Sequence, residues 1–231
     1  MATEVKQGPN VSAERHHDQH VVDRAQDFWT RYSKQILIGL SVVVLAVAGF
    51  FAYNSFVKAP KELQANEASW KAEEYYKIDS FSLALNGDAS TPGFLKIISR
   101  HGGTKAGNLA KFYAGSCYLQ LGDFNNAIRY LKDFSTDSKQ VQLRATGLLG
   151  DAYAEAGKKE EAITQYEKAG TMAEQDDFNS PEYLFRAGYL SESVNKNDDA
   201  IRFYKKIKEK YPNSQRAYDI DKYLARLGEI K

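Results

Sequence analysis

Apolar and polar residues alternate along this chain in three regimes. Between Lys34 and Lys58 there is no formally charged side chain, and Ile36 to Val57 reads ILIGLSVVVLAVAGFFAYNSFV. At about 1.5 Å of rise per residue this run is a little longer than the roughly 30 Å of bilayer hydrocarbon, and a helix satisfies its own backbone where water is absent. It predicts one membrane-crossing helix over 36–57. A soluble core helix would need a polar face, yet the only polar side chains within the run are Ser41, Tyr53, Asn54 and Ser55. A cleaved signal peptide is disfavoured too, because Ala46-Val47-Ala48 is followed by the apolar Gly49, Phe50, Phe51 and Ala52, and the polar stretch before the run is far too long. Trp29 and Tyr32 at one end, Tyr53 and Phe56 at the other, stand where interfacial aromatics belong.

The second regime is the tail, 1–35. Met1 to about Ala13 carries too few apolar residues to fold and reads as disordered. Over about 21–34 the apolar residues Val21, Val22, Ala25, Phe28, Trp29 and Tyr32 share one helical face, with Asp23, Arg24, Gln26, Asp27 and Arg31 opposite. This predicts a short amphipathic helix lying on the membrane before the chain turns in. His16, His17 and His20 have no carboxylate or cysteine frame to hold them, so a solvated tail is favoured over a metal site.

The third regime, 61–231, is periodic throughout and repeats itself. Gly115, Tyr118, Gly122 and Ala127 recur as Gly150, Tyr153, Gly157 and Ala162, each displaced by 35 residues; Gly188, Ala200 and Tyr204 continue the series at 38. Small residues let paired helices approach and aromatics fill the gaps between stacked units, so the spacing predicts helix-turn-helix repeats. Ala72, Tyr75 and Ala84 mark a degenerate earlier copy, with a loop over Asn86 to Pro92 and a helix from Phe94 to about Arg100. Repeats are expected at about 65–107, 108–142, 143–180 and 181–214, with a closing helix over 214–228, making about nine helices beyond the membrane. In the 181–214 copy Ser191 stands for the tyrosine and Asn195 for the turn glycine.

Charge and candidate chemistry change this picture little. From Lys61 onward there are 25 basic and 25 acidic residues, a balance that recruits no nucleic acid. Cys117 is the single cysteine and excludes an intramolecular disulfide. His101-Gly102-Gly103 has no Gly-x-Ser-x-Gly turn beside it and reads as a helix end, with Thr104 capping the next helix. Arg202, Lys205, Lys206, Lys208 and Lys210 read as the solvated side of an amphipathic helix. No catalytic residue, metal site or cofactor is expected.

The segments YAGSCYLQLGDFNNAIRYL, LLGDAYAEAGKKEEAITQYEKA and YLFRAGYLSESVNKNDDAIRFYKKIKEKYP resemble the tetratricopeptide repeat family. The resemblance implies an all-α fold in which a single N-terminal transmembrane helix precedes a tetratricopeptide α-solenoid. It also implies a protein-binding groove along the first helix of each pair. Carried over by position, that groove comprises Leu109, Phe112, Ser116 and Leu119, then Arg144, Asp151 and Glu155, then Glu182, Phe185 and Tyr189. Its mix of apolar and acidic residues leads to the expectation that it accepts extended polypeptides of hydrophobic or basic character. Ser116 and Asp151 stand where the family's asparagine clamp for acidic chaperone tails would be, which weakens a cytosolic co-chaperone role.

The layout of tail, anchor and small repeat domain resembles the YfgM-like ancillary subunits of the bacterial Sec translocon. DFWTRYSKQILIGL, WKAEEYYKIDSFSLALNGD and GGTKAGNLAKFYAGSCYLQLG look most like members from Bacteroidetes. That resemblance implies a single-pass inner-membrane protein with a cytoplasmic N-terminus and periplasmic repeats, acting without catalysis as a scaffold or chaperone. The implied partners are the Sec translocon, a membrane-bound prolyl isomerase, translocating polypeptides and the lipid bilayer. Flanking charge does not decide the orientation, because Arg24, Arg31 and Lys34 are matched by Lys58, Lys61 and Lys71. A cell-envelope assembly or division adaptor of the same architecture stays open.

Overall fold

The computed structural model describes residues 11–229, with side chains from Gln26 onward, and the chain divides into two units, Met1–Ala59 and Pro60–Lys231. The expected disorder of the first residues falls for 1–10 outside the described residues, as do the side chains of His16, His17 and His20.

The first unit is one helix, α1 (Val11–Tyr53), followed by a π turn over Asn54–Lys58. The amphipathic stretch and the apolar run were expected as separate helices with a turn between them. They are continuous, and the reason is local: no glycine or proline occurs between Gly8-Pro9 and Gly39 to interrupt the backbone ladder. Ile36 to Phe56 is exposed at every position and is long and apolar enough to cross a membrane. Bare apolar surface of this extent is what a hydrocarbon environment accommodates. The π turn ends two residues before Pro60, whose missing N–H and bulky ring disturb the ladder one turn earlier, a common cause of helix irregularity.

The second unit is a stack of helix pairs: α2 (Ala59–Lys77) with α3 (Phe81–Asn86) and α4 (Phe94–His101), α5 (Lys105–Gln120) with α6 (Phe124–Lys132), α7 (Lys139–Glu155) with α8 (Lys159–Met172), α9 (Asn179–Ser193) with α10 (Asn197–Lys210), and the closing α11 (Gln215–Arg226). Among the described residues ten helices follow the π turn, not nine. The extra one arises at Asp79, whose φ of +57° ends α2 and separates it from α3.

Asp79 is the first of four equivalent turns. Asp79, Gly122, Gly157 and Asn195 all have positive φ. In each turn the next residue's N–H reaches back five positions: Ser80 to the Tyr75 carbonyl, Asp123 to Tyr118, Lys158 to Tyr153 and Lys196 to Ser191, all at 2.9 Å. This is the paired hydrogen bonding that closes a helix on a left-handed residue, and Asp and Asn tolerate that region better than other non-glycine residues. The two copies whose sequences depart from the pattern therefore keep its turn.

Packing repeats with the same register. A Cβ added at Gly115 would lie 2.6 Å from Leu131 Cγ, at Gly150 2.6 Å from the Tyr166 ring, and at Gly188 2.6 Å from Tyr204 Cε1. In each pair the glycine admits a bulky side chain from the second helix. Ser191, in place of the tyrosine, is fully buried and donates to the Ala187 carbonyl at 2.8 Å. The cores run on from pair to pair, from Phe94, Ile97 and Cys117 through Ala127, Leu131 and Leu149 to Leu184, Phe203, Tyr204 and Ile207. In the first copy the second helix is split: α3 stops at Gly87, Asp88 accepts backbone N–H groups from Ser90 and Thr91, and Gly87 pairs with Pro92 before α4 begins. At the other end of α4, Thr104 caps α5 by accepting from Gly107 N–H at 2.9 Å, and Glu62 on α2 accepts from Lys105 and Ala106 N–H.

Candidate functional site

The first helices α5, α7 and α9 carry the residues named for the groove, and the structure treats its two halves differently. In the N-terminal half, Ser116 is buried with its Oγ 2.9 Å from the Tyr76 hydroxyl of α2. Phe112 packs edge-on against Tyr113 and tilted against Phe134, both at 5.5 Å between ring centroids. Leu119 lies against the core formed by Ala127, Leu131 and Leu149, and Leu109 is half-buried. Ser116, Phe112 and Leu119 are thus engaged in packing within the stack.

The C-terminal half is open and charged. Asp151 on α7 accepts the Tyr166 hydroxyl at 2.7 Å and Arg186 Nη1 at 2.8 Å. Arg186 on α9 also gives its Nε to Glu182 at 2.9 Å, and Glu182 in turn accepts Arg216 Nε from α11 at 2.5 Å. A chain of four alternating charges thus crosses three successive first helices. Burial pushes the Glu182 carboxyl up, but the bonds from Arg216 and Arg186 outweigh it and hold it below its ordinary value. For Arg186 burial acts downward, and Glu182 and Asp151 reverse it, raising the guanidinium above its usual range. The Tyr166 hydroxyl is raised, first by burial and then by Asp151.

Two hollows flank this chain of charges. One of about 530 Å³ is lined by Arg144, Phe178, Tyr183, Arg186, Arg216 and Asp219 among others. The other, about 260 Å³, has Ala154, Phe185, Tyr189 and Leu190 as its apolar lining, with Arg216 stacked over Phe185 at 4.1 Å. Tyr189 is 55% exposed, whereas Phe185 is 9% exposed and forms the floor. Arg144 and Glu155 are exposed, and neither has an ion-pair partner among the described residues. Of the three acids expected to attract basic segments, Asp151 and Glu182 are already satisfied by arginines, while Glu155 is not. What this half offers a ligand is an aromatic surface together with two charges unpaired among the described residues, the Arg144 guanidinium and the Glu155 carboxylate.

Arg186 and Arg216 were missed by position mapping, although a signal exists. Opposite charges one repeat apart recur: Asp151 with Arg186, Glu182 with Arg216, Glu160 with Lys196, Glu167 with Arg202, Glu174 with Lys210 and Glu192 with Arg226. Overlaying the repeats for charge as well as for size would have found them. Two of these pairs account for Arg202 and Lys210 in the basic run on α10; Lys205 and Lys208 pair with Glu229 and Asp221, and Lys206 has no ion-pair partner among the described residues.

Other chemistry-bearing residues are structural. Burial pushes the fully buried Cys117 thiol up to about 12, out of reach of thiolate reactivity at neutral pH. His101 ends α4, and its carbonyl accepts the Thr104 hydroxyl at 2.7 Å, in keeping with the helix-cap expectation.

Comparison with known families agrees with this geometry. A family described as "Tetratricopeptide repeat-like domain" matches residues 26–149, a match that takes in the apolar run as well as the first repeats. Families described as "Tetratricopeptide repeat" match residues 143–176 and 182–214. No curated protein matches the chain. With four equivalent turns, glycines admitting the same packing and family matches from residue 26 to residue 214, the chain belongs to the tetratricopeptide repeat-like family, whose repeats bind protein partners.

Proposed function

We propose that this protein is a membrane-anchored, non-catalytic scaffold that holds extended polypeptide segments on the face formed by α7, α9 and α11, and that it does so outside the cytoplasm, beside the Sec translocon. The observation that carries the binding reading is the aromatic hollow of Phe185, Tyr189 and Leu190 next to the 530 Å³ cleft. Its charges are preorganised by mutual pairing, so a segment docking there desolvates few unpaired ions. Because Asp151 and Glu182 are occupied and only Glu155 is left for a basic group, selectivity rests mainly on apolar side chains. Exposed apolar side chains on extended chain are what a newly emerging polypeptide presents, which fits a chaperone-like role.

The translocon placement, with a membrane-bound prolyl isomerase as neighbour, is supported by the sequence resemblance to YfgM-like subunits and by the apolar run that the tetratricopeptide-like match includes. Such a protein is single-pass in the inner membrane, with its N-terminus cytoplasmic. Protease added to intact spheroplasts tests this: the domain from Lys61 onward is digested while an epitope at residue 1 is protected. Protection of the repeats with loss of the epitope reverses the topology, removes the translocon-exit role and favours a cytosol-facing adaptor.

A further inference from the structure

A second candidate surface lies on the opposite helices of the stack, where α6 and α8 flank α7. It begins as a difference in length. Helix α6 starts in register with α8 but has nine residues where α8 has fourteen. The chain leaves α6 at Asp133, tucks Phe134 inward at 4% exposure and bonds the Ser135 carbonyl to Asn108 at 2.8 Å. Between the end of α6, the chain that follows it, α7 and the longer α8 lies a cavity of about 480 Å³, within the range of ligand sites.

Its composition is distinctive. Leu131, Phe134, Ala145, Leu149 and Thr146 are buried beneath it, half-buried Tyr153 and Met172 stand beside them, and Ser135, Gln142 and Gln165 add polar groups to the wall. The only charged residues lining it are Lys132 and Lys168, one on each flank. Both are exposed, and among the described residues neither has an ion-pair partner.

The neighbouring interval between α8 and α10 shows what is missing. It is crossed by Lys196 to Glu160, Arg202 to Glu167 and Lys210 to Glu174. Glu160 and Glu167 have as their counterparts one repeat earlier Asn125 and Lys132. The acids that brace α8 against α10 are thus absent from α6. Among the described residues no carboxylate pairs with the lysines lining this cavity.

We infer that the α6–α8 cavity is a docking site for an amphipathic helix of a partner protein, with apolar side chains entering over Leu131, Leu149 and Met172 and carboxylates meeting Lys132 and Lys168. The argument is charge complementarity joined to an apolar floor, the two elements of helix-in-groove recognition. The site stands apart from the face of α7, α9 and α11 and does not depend on that face binding polypeptide. Two independent surfaces would let one chain hold a stable partner and a transient segment together.

The test uses the full chain in phosphatidylcholine nanodiscs and a fluorescent amphipathic peptide with leucines at i, i+3, i+4 and i+7 and glutamates between them, read by anisotropy. A peptide with lysines in place of the glutamates is the control. The glutamate peptide should bind about ten-fold more tightly than the lysine peptide. The double variant Lys132→Glu, Lys168→Glu, at two exposed positions that leave the core intact, should invert that preference. Tyr189→Ala should leave it unchanged. Equal binding of the two peptides, no inversion in the double variant, or loss of binding with Tyr189→Ala would each overturn the proposal, the last by placing the peptide on the other face. Decanoate binding with the same lysine dependence while the glutamate peptide fails to bind would also overturn it, in favour of a small anionic amphiphile.

Discussion

Gly150→Ala isolates the contact on which the repeat register depends. The new Cβ would lie 2.6 Å from both Cδ1 and Cε1 of Tyr166, closer than real Cβ atoms come to other groups. The ring cannot swing clear cheaply, because its hydroxyl donates to Asp151 at 2.7 Å and Asp151 is itself held by Arg186. Overpacking of this kind costs about 1–3 kcal/mol. Loss of the tyrosine's bond adds about 1 kcal/mol, and the better helix propensity of alanine returns about 1 kcal/mol. The net expectation is a loss of about 1–3 kcal/mol, a lowering of the melting midpoint by roughly 2–12 °C for a domain of this size, read by circular dichroism of the detergent-solubilised chain. The second arm is Tyr166→Ala, which empties the space the new methyl would invade. In that background Gly150→Ala should be neutral or stabilising, by up to about 1 kcal/mol. An undiminished cost in the Tyr166→Ala background would show that the penalty has another origin and that the register is wrong.

Further outcomes follow from the same geometry. The depressed Glu182 carboxyl contributes stability that is present above its unfolded value, near 4.5, and lost as pH falls below that into the folded titration range; acid unfolding should begin at higher pH in Glu182→Ala, where Arg186 and Arg216 lose their shared partner. Gly188→Leu should destabilise by several kcal/mol, of the order of core overpacking, because Tyr204 is fully buried against it; a melting midpoint within a degree of the parent would contradict this. Cys117 should resist maleimide labelling in the folded chain and react at full stoichiometry in guanidinium, and rapid labelling of the native protein would contradict its burial.

The fold was legible where residue size repeats. Gly115, Gly150 and Gly188 announced the helix pairs because close approach leaves few alternatives to glycine, and the structure places a second-helix side chain against each. The turn at Asp79 was harder to read: aspartate reaches a left-handed conformation at some cost, so composition did not distinguish it from helix interior, and one helix was expected where α2 and α3 stand. The continuity of α1 through the tail was missed for the opposite reason, since a change in the pattern from amphipathic to wholly apolar marks a change of environment, not a break in the backbone. At the site, position mapping selected residues by analogy. It selected Tyr189 and Phe185, which line one hollow, but could not see that Tyr76 reaches Ser116 or that arginines occupy Asp151 and Glu182, because those contacts join residues 34 to 40 positions apart through the stacking itself.

The central claim, that the face of α7, α9 and α11 holds polypeptide, is tested most directly by a photo-crosslinking amino acid at Tyr189 in living cells. Tyr218 is the control, equally aromatic and more exposed at 79% against 55%. The expected result is adducts from position 189 with translocon components and secreted polypeptides, reduced when protein synthesis is blocked, and few from position 218. Adducts of equal yield and identity from both positions, or none from 189 with anything outside the cytoplasm, would contradict the account.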